Sequence, residues 1–144
     1  MSEISASAAP TEIKVGRHLF RWEPPDIGYV SYGGDLDGEA AAALSAESRK
    51  FTLGKPRVFL LVNMARVGQI SKEARNLSAA GSKDLSIVGI AVVGAPGHVR
   101  LVVGLVSRAV ELMQRTQDSP TRFFATEAEG RQWIAQRRQA LDGT

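Results

Sequence analysis

Ser71, the Gly94–Arg100 loop and a broad-faced helix after it are where this chain's residue types and spacing could do chemistry. Ser71 heads a predicted helix. A phosphate on its hydroxyl would rest on free backbone N–H groups at the positive end of the helix macrodipole. The plainer role is an N-cap, with the hydroxyl accepting a first-turn amide and Lys72 and Glu73 left in solvent. Ser is a favoured cap, so the plainer role is preferred, and Ser71→Asp is then close to neutral. Gly94-Ala95-Pro96-Gly97-His98-Val99-Arg100 joins the end of an apolar strand to a helix start, where open α/β sheets collect ligands. With Gly68 in the neighbouring strand-end loop, Gly94, Gly97, His98 and Arg100 could receive an anionic group on exposed amides. Neither G-x-G-x-x-G nor G-x-x-x-x-G-K-[ST] occurs, and turn geometry accounts for the glycines and Pro96 more simply.

The helix predicted over 97–115 carries two apolar stripes. Val99, Val102, Val103, Val106, Ala109, Val110 and Met113 follow the i, i+3, i+4, i+7 rule and are expected to cover a sheet. Leu101, Leu105 and Leu112 form a second stripe, and the two together span about 200° of the circumference. Arg100, Ser107, Arg108, Glu111, Gln114 and Arg115 fill the rest. The second stripe is either core, covered by a neighbouring helix, or a contact surface for a partner or a second copy, with Arg108 beside it. The core reading is preferred. Trp22, Trp133 and Phe123-Phe124 are expected to pack in the core rather than line a pocket. His18 is expected on the surface of a strand.

Catalytic constellations are missing. There is no G-x-S-x-G elbow, no metal-ligand cluster and no informative carboxylate pair, and Asp26, Asp35 and Asp37 stand by turns that favour Asp for backbone reasons. Zero cysteines exclude disulfides, a thiol nucleophile and Cys-ligated metal, and two histidines are too few for a His-rich metal site. No cofactor is implied. Eighteen Lys+Arg against fifteen Asp+Glu leave a net charge of +3. The seven arginines between Arg100 and Arg138 are scattered without aromatic interleaving, so they read as solvated helix surface and nucleic acid is not expected. No apolar run approaches the roughly 20 residues of a membrane span, and MSEISASAAPTE lacks the apolar segment of a secretion signal. A cytoplasmic domain is expected.

The elements that must hold these residues follow from pattern. Residues 1–12, small and polar, read as a disordered tail, and 13–144 as one α/β domain. KVGRHLFRWE (14–23) and GYVSY (28–32) read as two strands joined by the Pro24-Pro25-Asp26-Ile27-Gly28 turn into an antiparallel hairpin. Asp37 caps a helix reaching about Phe51. RVFLLVNM (57–64) and SIVGIAVVG (86–94) are almost continuously apolar, as parallel strands covered on both faces are. A helix from Ser71 separates them, TRFFA (121–125) is a last short strand, and Thr126-Glu127-Ala128-Glu129 forms a capping box for a final helix to about Leu141. The order ββαβαβαβα predicts a mixed, mainly parallel five-strand sheet with four helices and right-handed crossovers.

Read together, GYVSYGGDLDGEAAAAL, RVFLLVNMARVGQISKEAR, SIVGIAVVGAPGHVR and TRFFATEAEGRQWIAQRR resemble the anti-sigma-factor-antagonist-like branch of STAS domains, bacterial proteins often grouped with CRAL-TRIO lipid-transfer folds. The resemblance spans roughly residues 14–141 and rests on element order, the G-D turn, the V-V-G strand end and the terminal F-x-T-x-x-E-x-x-x-W helix. It implies a non-enzymatic role in protein–protein regulation, and a phosphorylatable Ser in a D-S-x-G motif at the start of the second helix. Counting from Asn63 places Ser71 on that motif's Asp and Lys72 on its Ser, so the motif is absent as such.

The expected function is therefore a regulatory module that binds a protein partner or itself. The alternative is a carrier or sensor of a small ligand, a nucleotide or a lipid, that uses the strand-end loops.

Overall fold

The computed structural model of the chain describes residues 11–81, 84–101, 104–105, 108 and 120–143. In chain order the elements are β1 (Glu12–Val15), β2 (His18–Glu23), β3 (Ile27–Leu36), α1 (Gly38–Thr52), β4 (Val58–Ile70), α2 (Lys72–Gly81) and β5 (Ile87–Val93). Helix α3 follows, helical at 97–101, 104–105 and 108, and then β6 (Thr121–Phe124) and α4 (Glu127–Asp142). The expected extent of α3 over 109–115 lies outside the described residues, as do positions 1–10 of the expected tail.

Among the described residues the sheet has six strands in the order β1-β2-β3-β4-β5-β6, not five. Its pairings are antiparallel for β1–β2 and β2–β3 and parallel for β3–β4, β4–β5 and β5–β6. It is thus a mixed sheet rather than a mainly parallel one. The extra strand arises at Gly16-Arg17, where Gly16 takes φ +60° and folds the predicted 14–23 strand into a hairpin. The two apolar runs are adjacent and parallel as expected, with Leu60 opposite Ile90 and Val62 opposite Val92. Strand β4 also continues past its apolar part. Residues 65–70, predicted to be a loop, pair with Gly33–Leu36 of β3 as a polar ribbon carrying the chain to Ser71.

Right-handed crossovers that step the same way along a sheet place their helices on one face. On that front face Leu44 of α1 and Val99 of α3 join Phe20, Trp22, Val30, Val58, Val62, Ile90 and Val92 in one core. Helix α2 packs on α1, through Ala74 against Ala41 and Leu36. The back face is covered by α4, whose Ile134 and Trp133 meet Tyr29, Phe59, Leu61, Ala91 and Val93. The start of α4 is fixed as its sequence requires: the Thr126 hydroxyl accepts the Glu129 N–H, and the Glu129 carboxylate accepts the Thr126 N–H, both at 3.2 Å. No described helix is long and apolar enough to cross a membrane.

Candidate functional site

Ser71 sits at the end of the β4 ribbon and caps α2. Its hydroxyl accepts the Ala74 N–H at 3.0 Å, and its own N–H donates to the Leu36 carbonyl at 3.0 Å. The side chain is half-buried rather than displayed. Gly68 lies on the same ribbon, where a Cβ would overlap the Asp35 carboxylate that accepts the Gln69 N–H at 2.8 Å.

Gly94 belongs to a different neighbourhood. It takes φ +72°, donates its N–H to the Phe124 carbonyl at 2.9 Å, and lies so close to Ala65 that a side chain would crowd it. Gly97 and His98 are exposed at the first turn of α3. Arg100 turns back on its own protein: Nε donates to the Ala95 carbonyl at 3.3 Å, and the guanidinium lies 5.5 Å from the centre of the Phe123 ring. The five strand-end residues therefore form two local structures, each accounted for by its own backbone.

The α3 face is where the structure departs most from the preferred reading. Val99 is 2% exposed and faces the sheet, whereas Leu101 and Leu105 are 76% and 63% exposed. At 100° per residue Leu101 lies 200° from Val99, on the far side of the helix, and no described element of the domain covers it. Leu105 follows at i+4 and exposed Arg108 at i+7, so the three share one stripe. The core reading is thus corrected for Leu101 and Leu105; Leu112 lies outside the described residues.

A second open feature lies on the front face. Between the sheet and the α1–α2 pair is a cavity of about 180 Å³, floored by Phe20, Val30, Leu60, Val62, Ile90 and Val92. Ser45, Ser48 and Arg49 of α1 and Arg75 and Ser78 of α2 contribute polar groups to its lining. Arg49 ties the two helices, donating from Nη1 to the Gly81 carbonyl at 2.8 Å and from Nη2 to Asp84 at 3.2 Å. Tyr32 also lines the cavity, and desolvation pushes its phenol up to about 12.

Two buried polar residues escaped the sequence reading. His18, expected on a strand surface, is 5% exposed because the Gly16-Arg17 turn sets His18, Phe20 and Trp22 on the inward side of β2. Its Nδ1 accepts the Gly33 N–H at 3.1 Å, so the proton resides on Nε2, which donates to the Asp35 carbonyl at 3.2 Å. Period-two alternation from position 18 could have revealed this. Asp26 is not a turn residue alone: 3% exposed, it accepts Arg138 Nη2 at 2.6 Å and Arg57 Nε at 3.2 Å. Arg57 also forks onto Asp142 at 2.6 and 3.1 Å, so the turn before β3, the start of β4 and the end of α4 are fastened together. Hydrogen bonding to these carboxylates raises both Arg57 and Arg138 above the usual guanidinium range. Asp37 does act as expected, capping α1 through the Ala40 N–H at 2.8 Å. Among the described residues no three His, Asp or Glu side chains gather as a cation site.

No protein-family model matches the chain, and no curated protein matches it. A solved structure does: the crystal structure of an uncharacterized protein from the DUF3478 family with a SpoIIAA-like fold, from Shewanella loihica PV-4. The two share 12% identity and a TM-score of 0.54, and the match covers 84% of this chain and 98% of the other. Identity that low speaks to architecture alone, and for architecture the resemblance read from the sequence is borne out. The chain has a SpoIIAA-like, STAS-like α/β fold.

Proposed function

We propose that this chain is a non-enzymatic regulatory module of the cytoplasm that binds a protein partner through the outer stripe of α3. One observation carries the reading: Leu101 and Leu105, one helical turn apart, are both mostly exposed, while Val99 of the same helix is buried. Single exposed leucines are ordinary, but two stacked on one stripe put a contiguous apolar strip in water. Arg108 on the same stripe favours a partner whose own apolar strip is flanked by acidic side chains. The regulatory role rests on the STAS-like architecture, and the missing D-S-x-G motif separates it from serine-phosphorylation switching. Cofactor and nucleic acid have no part in it.

The test is photo-crosslinking in the native cell. A photoreactive residue at position 105 is expected to give a protein adduct that disappears in a Leu101→Glu background. The same group in place of Gln136, exposed on α4, serves as the control. The purified partner is then expected to bind Leu105→Glu at least 10-fold more weakly, with the circular-dichroism melt unchanged. Adducts no different from those at position 136, or adducts only with a second copy of this chain, would overturn the reading.

A further inference from the structure

The front-face cavity is too large to be a packing defect. Its volume of about 180 Å³ exceeds the roughly 150 Å³ of an engineered apolar cavity that stays dry and takes up benzene. A single ring with a short substituent matches that volume. The floor is aliphatic and aromatic, and the charged groups of its lining are engaged elsewhere. Arg49 is bound to Gly81 and Asp84, and Arg75 Nη1 to the Ile70 carbonyl at 3.2 Å. A charged ligand would have to compete with those bonds and lose its hydration; a neutral one would not.

Tyr32 supplies the specific element. Its ring is held edge-on against His18, with centroids 5.7 Å apart, and His18 is itself locked between Gly33 and Asp35. Its hydroxyl has no hydrogen-bond partner among the described residues. The phenol stays protonated at every physiological pH, so it offers a donor. A half-buried donor with no partner among the described residues is poorly satisfied, and a ligand acceptor would relieve that cost.

We propose that the cavity between the sheet and the α1–α2 pair binds a compact, neutral, single-ring molecule whose one hydrogen-bond acceptor meets the Tyr32 hydroxyl. The site is separate from the α3 stripe, so each can fail alone.

Acetophenone and ethylbenzene, nearly the same shape with and without an acceptor, are the probes for an amide-shift titration of the full chain. Both are expected to move the amides of Val30, Leu60 and Val62, acetophenone at lower concentration. Tyr32→Phe is expected to weaken acetophenone about 5-fold, the worth of one hydrogen bond, and to leave ethylbenzene within 2-fold. Ser48→Leu and, separately, Val62→Leu each fill part of the void and are expected to weaken both probes at least 10-fold. No shift with either probe at millimolar concentration overturns the site, as does binding that survives both filled variants. An acetophenone preference unchanged in Tyr32→Phe overturns the role of the hydroxyl.

Discussion

The two faces of the sheet are closed in different ways. The front face is covered by α1 and α3 with α2 outside them, by apolar contacts that leave about 180 Å³ unfilled. Among the described residues the back face is covered by α4 alone, with Ile134 1% exposed and Phe59, Leu61 and Ala91 fully buried beneath it. Around that patch, arginines fasten the helix. Arg138 reaches Asp26, and Arg131 forks onto Glu23 at 2.8 and 2.9 Å while binding Glu127 at 2.9 Å. Arg21 lies 4.4 Å from the centre of the Tyr29 ring, and Arg131 lies 6.0 Å from it. The contrast teaches that one helix on a wide sheet gains orientation from bidentate ion pairs, whereas two helices packed through alanines and serines leave room. The bidentate ion pairs and the unfilled volume thus lie on opposite sides of one sheet.

Truncations on the two faces test this contrast most strongly. Ile134→Ala is expected to cost about 4 kcal/mol, since it opens a new void in a filled layer, and Leu44→Ala about 2 kcal/mol, since Leu44 already borders empty space. Urea denaturation of the two variants measures both, and equal losses would break the comparison. Asp26→Asn comes next, at about 3 kcal/mol, because it removes a buried carboxylate from two guanidiniums. The loss is limited because Arg57 and Arg138 reach solvent, and the same denaturation series reads it. Ser71→Ala, on the front-face side, is expected to lose about 1 kcal/mol as a helix cap does, with Ser71→Asp close to wild type.

The smallest effect is titratable. Hydrogen bonding from Arg131 holds the Glu23 carboxyl below its ordinary value of 4.5, against the opposing push of burial. A carboxyl depressed in the folded state stabilises the fold above about pH 4.5 and loses that contribution as pH falls through the folded value. Glu23→Gln is expected to flatten the stability profile in this acid window by less than about 1 kcal/mol, and to leave its shape at pH 7 and above unchanged. Thermal melts from pH 2 to 7 check the sign.

The central architecture was legible because RVFLLVNM and SIVGIAVVG have no polar side to leave exposed, and only a strand covered twice tolerates that. The α4 start was legible because Thr126 and Glu129 satisfy each other's backbone within one turn. What escaped depends on distant partners. The ribbon at 65–70 is polar, and only its pairing with Gly33–Leu36 makes it a strand. Asp26 finds Arg138 112 residues away, and no local pattern announces such a bond. His18 was misplaced by one missed two-residue turn, which sets the inward register of β2. The leucine stripe on α3 was visible as a stripe. Whether anything lies over it is decided by distant parts of the chain, and the described residues put α1, α2 and α4 elsewhere.

Spatial order in this sheet repeats chain order from β1 to β6. Every ribbon therefore docks beside the one made just before it, and none has to be slipped between two neighbours already joined. Growth can proceed from one flank to the other by successive additions. A lesion in a late strand is then expected to leave the earlier pairings able to form, an order that pulse-labelled hydrogen exchange can read strand by strand.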